Sequence, residues 1–205
     1  MPRRRRRIIK LASYLLIACG AFLLFQGARD FIESRLGQRV AKHRFAHPVP
    51  RPPAPTPQKP VVPQLGDTVA KLMIPRLETQ LYVVEGVDQA DLRQGPGHMP
   101  GTAMPGNNGN CVIAAHRDTH FRVLKDIQKG DDIVLETHDG EFLYRVTGTR
   151  IISPTNTAVI QPVAGRRSLH LITCYPFYFV GHAPKRFLVE AELAASVDLT
   201  QTPRS

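Results

Sequence analysis

The chain has 205 residues, 42% of them apolar and 7% aromatic, and its 27 Lys and Arg against 17 Asp and Glu give a formal charge of +10. That composition is globular rather than disordered. The charge is confined to one end: residues 1–59 hold 13 Lys or Arg and two acids, residues 60–205 hold 14 and 15. The folded part therefore lacks the basic footprint a nucleic-acid-binding domain needs, and nucleic acid is excluded as a partner.

Five arginines, Arg3 to Arg7, precede an uncharged run from Leu11 to Ala28. At ~1.5 Å per residue the run nearly crosses a ~30 Å hydrocarbon core, and Ile8 and Ile9 can extend it past Lys10, whose amine can snorkel. The pattern predicts one transmembrane helix over 11–28, in contact with the lipid bilayer. The positive-inside rule puts the basic segment 1–10 in the cytoplasm and everything after about residue 30 outside it. Two other readings give the same side. A cleaved secretory signal would need a better small-x-small site than the one after Phe25. A lipoprotein signal would use Leu16-Ile17-Ala18-Cys19 as its lipobox, against which the apolar stretch Ala21 to Phe25 counts.

Residues 29–63 read as a polar and proline-rich linker. From Asp30 to Phe45 the chain is polar and can extend the helix for a few turns; then eight prolines from Pro48 to Pro63 occupy sixteen residues. Such a segment adopts polyproline II, at ~3.1 Å per residue, and reads as a stalk that lifts a domain off the membrane.

Residues 64–195 form the domain, and 196–205 a C-terminal tail. Short β-branched runs separated by turn residues predict strands at Lys71–Ile74, Leu81–Val84, Cys111–Ala115, Ile133–Glu136, Phe142–Val146, Leu169–Cys174 and Phe187–Leu193. This is the pattern of a small all-β barrel or sandwich. Helical periodicity is limited to Asp88–Leu92 and Phe121–Ile127. The stretch Gly95–Gly109 has five Gly and three Pro and reads as an irregular loop; no phosphate-binding loop is present.

Three cysteines cannot all pair, so at least one thiol is free. Outside the cytoplasm a free thiol is exposed to oxidation and needs a reason to persist. Cys19 lies in the apolar run and Cys111 opens an apolar strand, where cysteine behaves as a small hydrophobe. Cys174 ends a strand just before Tyr175-Pro176, where a side chain can meet substrate. A thiol with a free pKa of ~8.5 needs a base or cation nearby. His116 ends the strand Cys111–Ala115 in the same strand-to-loop position, so the two side chains meet if those strands are parallel neighbours. Arg186, opening the strand after Cys174, is placed to hold an oxyanion or a peptide backbone. His170 shares the pleat face of Cys174 but lies four residues, ~13 Å, away and reads as structural. His116 and His120 form an H-x-x-x-H pair, but the segment breaks out of a strand and no glutamate follows the first His, so no metal is expected. His98 could line a pocket from the glycine-rich loop. An L,D-transpeptidase would keep His and Cys close in sequence, whereas 58 residues separate them here; a non-catalytic surface-binding domain would not need Cys174.

The string Leu171-Ile172-Thr173-Cys174, followed twelve residues later by Arg186, together with His116-Arg117-Asp118 after an apolar strand, is similar to the sortase family. The stretches Gly97-His98-Met99-Pro100-Gly101-Thr102 and Cys174-Tyr175-Pro176-Phe177 resemble its class D branch. The resemblance covers roughly residues 69–193. It implies a closed eight-stranded β-barrel with short helices, an N-terminal anchor and a surface location. It further implies that an LPxTG-like sorting signal on surface-protein substrates is cleaved through a Cys174 thioester. The acyl group then passes to an amine acceptor, a cell-wall precursor or a pilin, without a cofactor. On that resemblance Cys174 is the nucleophile, His116 the acid and base, and Arg186 the contact to substrate or oxyanion, with His98, Thr173 and Tyr175 as substrate-binding neighbours. Ala115 and Leu171 depart from the commoner glycine and threonine, which leaves the chemistry untouched. Some sortases bind calcium through acidic loop residues, but no such cluster maps here.

Overall fold

A computed structural model describes residues 2–47, 63–162, 165–178 and 181–198, without the side chains of residues 2–12, 27, 30, 31 and 198. Helix α1 (Pro2–Ala46) is followed by β1 (Thr68–Ile74), β2 (Thr79–Glu85), a short α2 (Gln89–Gln94), β3 (Gly97–His98) and β4 (Gly109–Ala114). After these come β5 (Asp132–Glu136), β6 (Gly140–Ile152), β7 (Arg167–Tyr175) and β8 (Lys185–Asp198). The eight strands close into a barrel in the order β1-β2-β3-β4-β7-β8-β6-β5. Pairing is antiparallel except for β2 with β3 and β4 with β7.

Period-2 alternation decides which side chains face inward. On β7, Leu169 and Leu171 are fully buried in the barrel core with Cys111 and Ile113 of β4 and Val189 and Ala191 of β8, while His170, Ile172 and Cys174 stay half-buried on the outer face. Cys111 is 1% exposed, as its apolar strand predicts, and burial pushes its thiol pKa up, so it stays protonated.

Each expected strand is present, and three segments differ from their sequence reading. Phe121–Ile127 forms a 3₁₀ turn, Arg122–Asp126, rather than an α-helix. The glycine-rich loop contains β3, which pairs with β2 and β4 and bridges the barrel wall with two residues. The tail boundary at 196 falls inside β8, because Ser196, Val197 and Asp198 still pair with Phe142, Glu141 and Gly140.

Residues 29–46 are helical, as the polar stretch from Asp30 to Phe45 allows. The helix continues to Ala46 and docks on the barrel through one face, Ser34, Gln38, Ala41 and Phe45, spaced four, three and four residues apart. Ala41 and Phe45 pack on Tyr82 and Val84, and Gln38 donates to the carbonyls of Tyr82 and Gln94 (3.0 Å each) while accepting from Tyr82 N (2.8 Å). Residues 48–62, which hold most of the prolines, lie outside the described residues. The chain on either side of them meets: Arg44 donates to the Gly66 carbonyl at 2.9 Å and Thr68 to the Ala41 carbonyl at 3.2 Å.

Candidate active site

Register brings the candidate residues together. Every pair in the parallel β4–β7 ladder is offset by 58 residues, from Gly109 with Arg167 to Ala114 with Ile172. Ala115 N continues the ladder onto the Ile172 carbonyl (3.2 Å), and the Thr173 hydroxyl donates to the Ala115 carbonyl (2.7 Å). His116 stands two residues past the last pair, and its separation from Cys174 equals the ladder's offset, 174 − 116 = 58. On the other flank, the antiparallel β7–β8 ladder pairs Cys174 directly with Arg186. Registered neighbours point to the same face of a sheet, so Cys174 and Arg186 share a face at the barrel rim, and His116 lies just past the end of β4, the strand on the other side of β7. All three are half-buried, which admits a substrate while excluding bulk water from one side.

The loops around the rim are tied down. Arg117 donates to the Gly181 carbonyl at 3.0 Å, joining the His116 turn to the β7–β8 connection. Arg186 donates from Nη1 to the carbonyls of Ala183 and Lys185, at 3.3 and 3.1 Å. Tyr175, Phe177 and Phe187 form an aromatic cluster below, with ring centroids 5.2–6.3 Å apart.

The three expected substrate-binding neighbours take other positions. His98 is 2% exposed: Nδ1 meets the Glu85 carboxylate at 2.6 Å, and Nε2 lies 3.1 Å from the Ala103 carbonyl and the Thr102 hydroxyl. It pins the glycine-rich loop to β2 and lines no pocket. Thr173 is also 2% exposed, with its hydroxyl committed to Ala115. Tyr175 lies, by strand alternation, on the face opposite Cys174 and stacks on Phe187. Cys174 and Arg186 are registered neighbours at the rim, while His98 and Thr173 are buried beside it and Tyr175 packs on Phe187.

His170 donates or accepts within a small network with Asn110 (2.9 Å) and the Val159 carbonyl (2.6 Å), and burial lowers its pKa. His120 is 7% exposed, and its Nε2 is 3.0 Å from the Ser34 hydroxyl of α1. Burial, with the nearby His116 charge as a lesser cause, lowers its pKa to about 4, while Asp118 works against the shift. Sequence reading weighed His120 only as a metal ligand and did not reach Ser34; the readable signal was the spacing of Ser34, Gln38, Ala41 and Phe45. Among the described residues no group of three or more His, Cys, Asp or Glu could hold a metal ion.

These histidines give a pH prediction. Between the ordinary value of 6.5 and about 4, unfolded chain binds a proton at His120 that the folded protein refuses. Stability is therefore fully present above pH 6.5 and falls as pH drops through that window, by up to about 3 kcal/mol from His120, with His170 acting in the same direction. Denaturant unfolding at pH 7, 5.5 and 4 measures the slope, and His120→Gln is expected to flatten it.

Residues 72–194 match the family model described as Sortase domain. Sortase D of Bacillus subtilis is 39% identical over 127 residues, which are 62% of this chain and 64% of that protein, so the match spans just under two thirds of the relative. The solved structure of a Clostridium perfringens sortase D5 transpeptidase superposes with a TM-score of 0.63 at 24% identity, covering 80% of this chain and 99% of that one, a likeness of fold. Sortase E1 from Streptomyces coelicolor, solved with a tripeptide in its active site, gives a TM-score of 0.59 at 28% identity over 68% of this chain and 96% of that one.

Proposed function

The chain belongs to the sortase family, of class D type, and from that premise we propose that it is a cysteine transpeptidase whose Cys174, His116 and Arg186 carry the reaction. The observation that supports this most is the direct register pair of Cys174 with Arg186, together with a β4–β7 offset equal to the separation of His116 from Cys174. The Cys174 thiolate attacks the carbonyl carbon ahead of the scissile bond of an LPxTG-like sorting signal. The C–N bond breaks, the electron pair leaves on nitrogen, and His116 donates the proton that makes it an amine. The thioester left on Cys174 is then attacked by an acceptor amine, His116 takes the amine proton, and the thiolate departs. At each tetrahedral stage Arg186 offsets charge on the oxyanion or holds the peptide backbone.

An extracytoplasmic site fits this substrate class. The run 11–28 lies in α1 and, in this reading, anchors the chain in the membrane. Among the described residues no helix is long and apolar enough to cross a bilayer, and residues 11, 12 and 27 of the run are not among the described side chains. Supporting the anchor, Leu15, Leu16, Ile17, Leu23, Leu24 and Phe25 are each 65–77% exposed on this helix, a surface suited to lipid.

The test is incubation of the full chain in detergent micelles with LPxTG-type peptides and triglycine, read by mass spectrometry. A ligated product joining the peptide's threonine to triglycine is expected, and a folded protein that ligates no peptide of the panel would contradict the reading. Arg186→Lys keeps the charge but not the planar fork and is expected to slow ligation about 10²-fold, visible in the same assay.

A further inference from the structure

The turn that carries His116 is closed by a hydrogen bond from Phe121 N to the His116 carbonyl (3.0 Å), and within it His120 faces α1. Its Nε2 meets the Ser34 hydroxyl at 3.0 Å, and its Nδ1 lies 3.4 Å from the Thr119 hydroxyl. The joint around this contact is close-fitting. Gly37, one turn on, lies against the backbone of Gln94, where an added Cβ would stand 2.5 Å from its Cα. A cavity of about 280 Å³ runs along the joint, lined by Ser34 of α1, Leu92 and Arg93 of α2, and His116 and Thr119. The helix that leads toward the membrane and the histidine at the rim thus wall one space.

We propose that Ser34 on the N-terminal helix is a positioning residue for the reaction at Cys174, acting through His120 on the turn that carries His116. The proposal rests on the reading of His116 as acid and base. Ser34 fixes the His120 ring, and His120 fixes the five-residue turn from which His116 projects. The contact also sets charge. His116 carries a proton during turnover, and a second imidazolium in the same turn would oppose it. Docked α1 buries His120 and holds it neutral. The other charged groups there include Arg117 and Asp118 on the same turn, Glu33 and Arg35 on α1 and Arg93 on α2; Glu33 pairs with Arg93 at 3.7 Å and with Arg29 at 3.1 Å. With the Ser34 hydroxyl gone, water reaches Nε2 and His120 titrates at higher pH.

The experiment uses the full chain in detergent micelles and follows kcat, KM and their pH profiles with a ligated peptide. Ser34→Ala is expected to lower kcat about 3- to 10-fold, leave the peptide KM within about twofold, and move the acidic limb of kcat upward. His120→Gln can keep the hydrogen bond without titrating, and combined with Ser34→Ala it is expected to return the acidic limb to its parental position. Gln38→Ala removes three hydrogen bonds of the same joint away from His120; it is expected to lower Tm and leave the acidic limb in place. If Ser34→Ala leaves kcat and the limb unchanged, or lowers kcat only in step with Tm as Gln38→Ala does, the proposal is overturned. A parent that turns over no peptide contradicts the functional reading instead. The charge relation is then read by NMR titration of His120: a low value that rises in Ser34→Ala supports the proposal, and an unmoved one overturns it.

Discussion

Cys174→Ala is expected to abolish both cleavage and transfer, a loss of at least about 10⁴-fold, while the barrel stays folded. No other thiol can replace it. Cys111 is sealed in the core with its thiol held protonated, and Cys19 lies on α1. Cys174 itself is half-buried at the end of β7, outside the packed core, so its truncation to alanine removes little buried surface. The barrel is held by residues pointing the other way, Leu169 and Leu171 on the same strand, where truncation would cost about 2–5 kcal/mol each. An unchanged Tm beside a lost activity is therefore the expected signature. Peptide turnover by a folded Cys174→Ala protein would show that the thioester route is wrong.

His116→Gln is expected to slow transfer by about 10²–10⁴-fold, the usual range for losing a positioned acid and base. Glutamine keeps the size and hydrogen-bonding reach of the side chain but cannot shuttle a proton, so the loss reads chemistry rather than packing. The nearest other imidazole, His120, offers no rescue: it is buried, committed to Ser34, and neutral down to about pH 4. Because the two residues act as one unit, Cys174→Ala with His116→Gln should be no worse than Cys174→Ala alone. Steady-state ligation rates for the three variants check this. A sum of the two single losses in the double variant would mean that His116 works elsewhere.

The strands and the outward placement of Cys174 were largely legible because both depend on short-range rules. Alternation of Leu169, Leu171 and Thr173 with His170, Ile172 and Cys174 puts the cysteine on the outer face, and each reactive residue stands where strand gives way to loop. That β4 and β7 are parallel neighbours was only a condition in the sequence, since nothing local specifies which strands pair across 58 residues. His98 sits on β3 with its partner, Glu85, on β2, and a buried hydrogen bond between two strands leaves no trace in periodicity. The docked half of α1 escaped for a related reason. Its contact face is Ser34, Gly37, Gln38 and Ala41, small and polar residues that hold the barrel through close backbone approach and side-chain hydrogen bonds, so a search for an apolar stripe passes over it.

The central claim is a covalent acyl intermediate on Cys174, and one measurement addresses it directly: mass spectrometry of the full chain quenched in acid during turnover of an LPxTG-type peptide without amine, followed by digestion to locate the adduct. The account predicts a mass increase equal to the peptide's acyl portion, carried by the fragment containing Cys174 and discharged when triglycine is added. Cleavage of the peptide with no adduct, or an adduct on any residue other than Cys174, would contradict it.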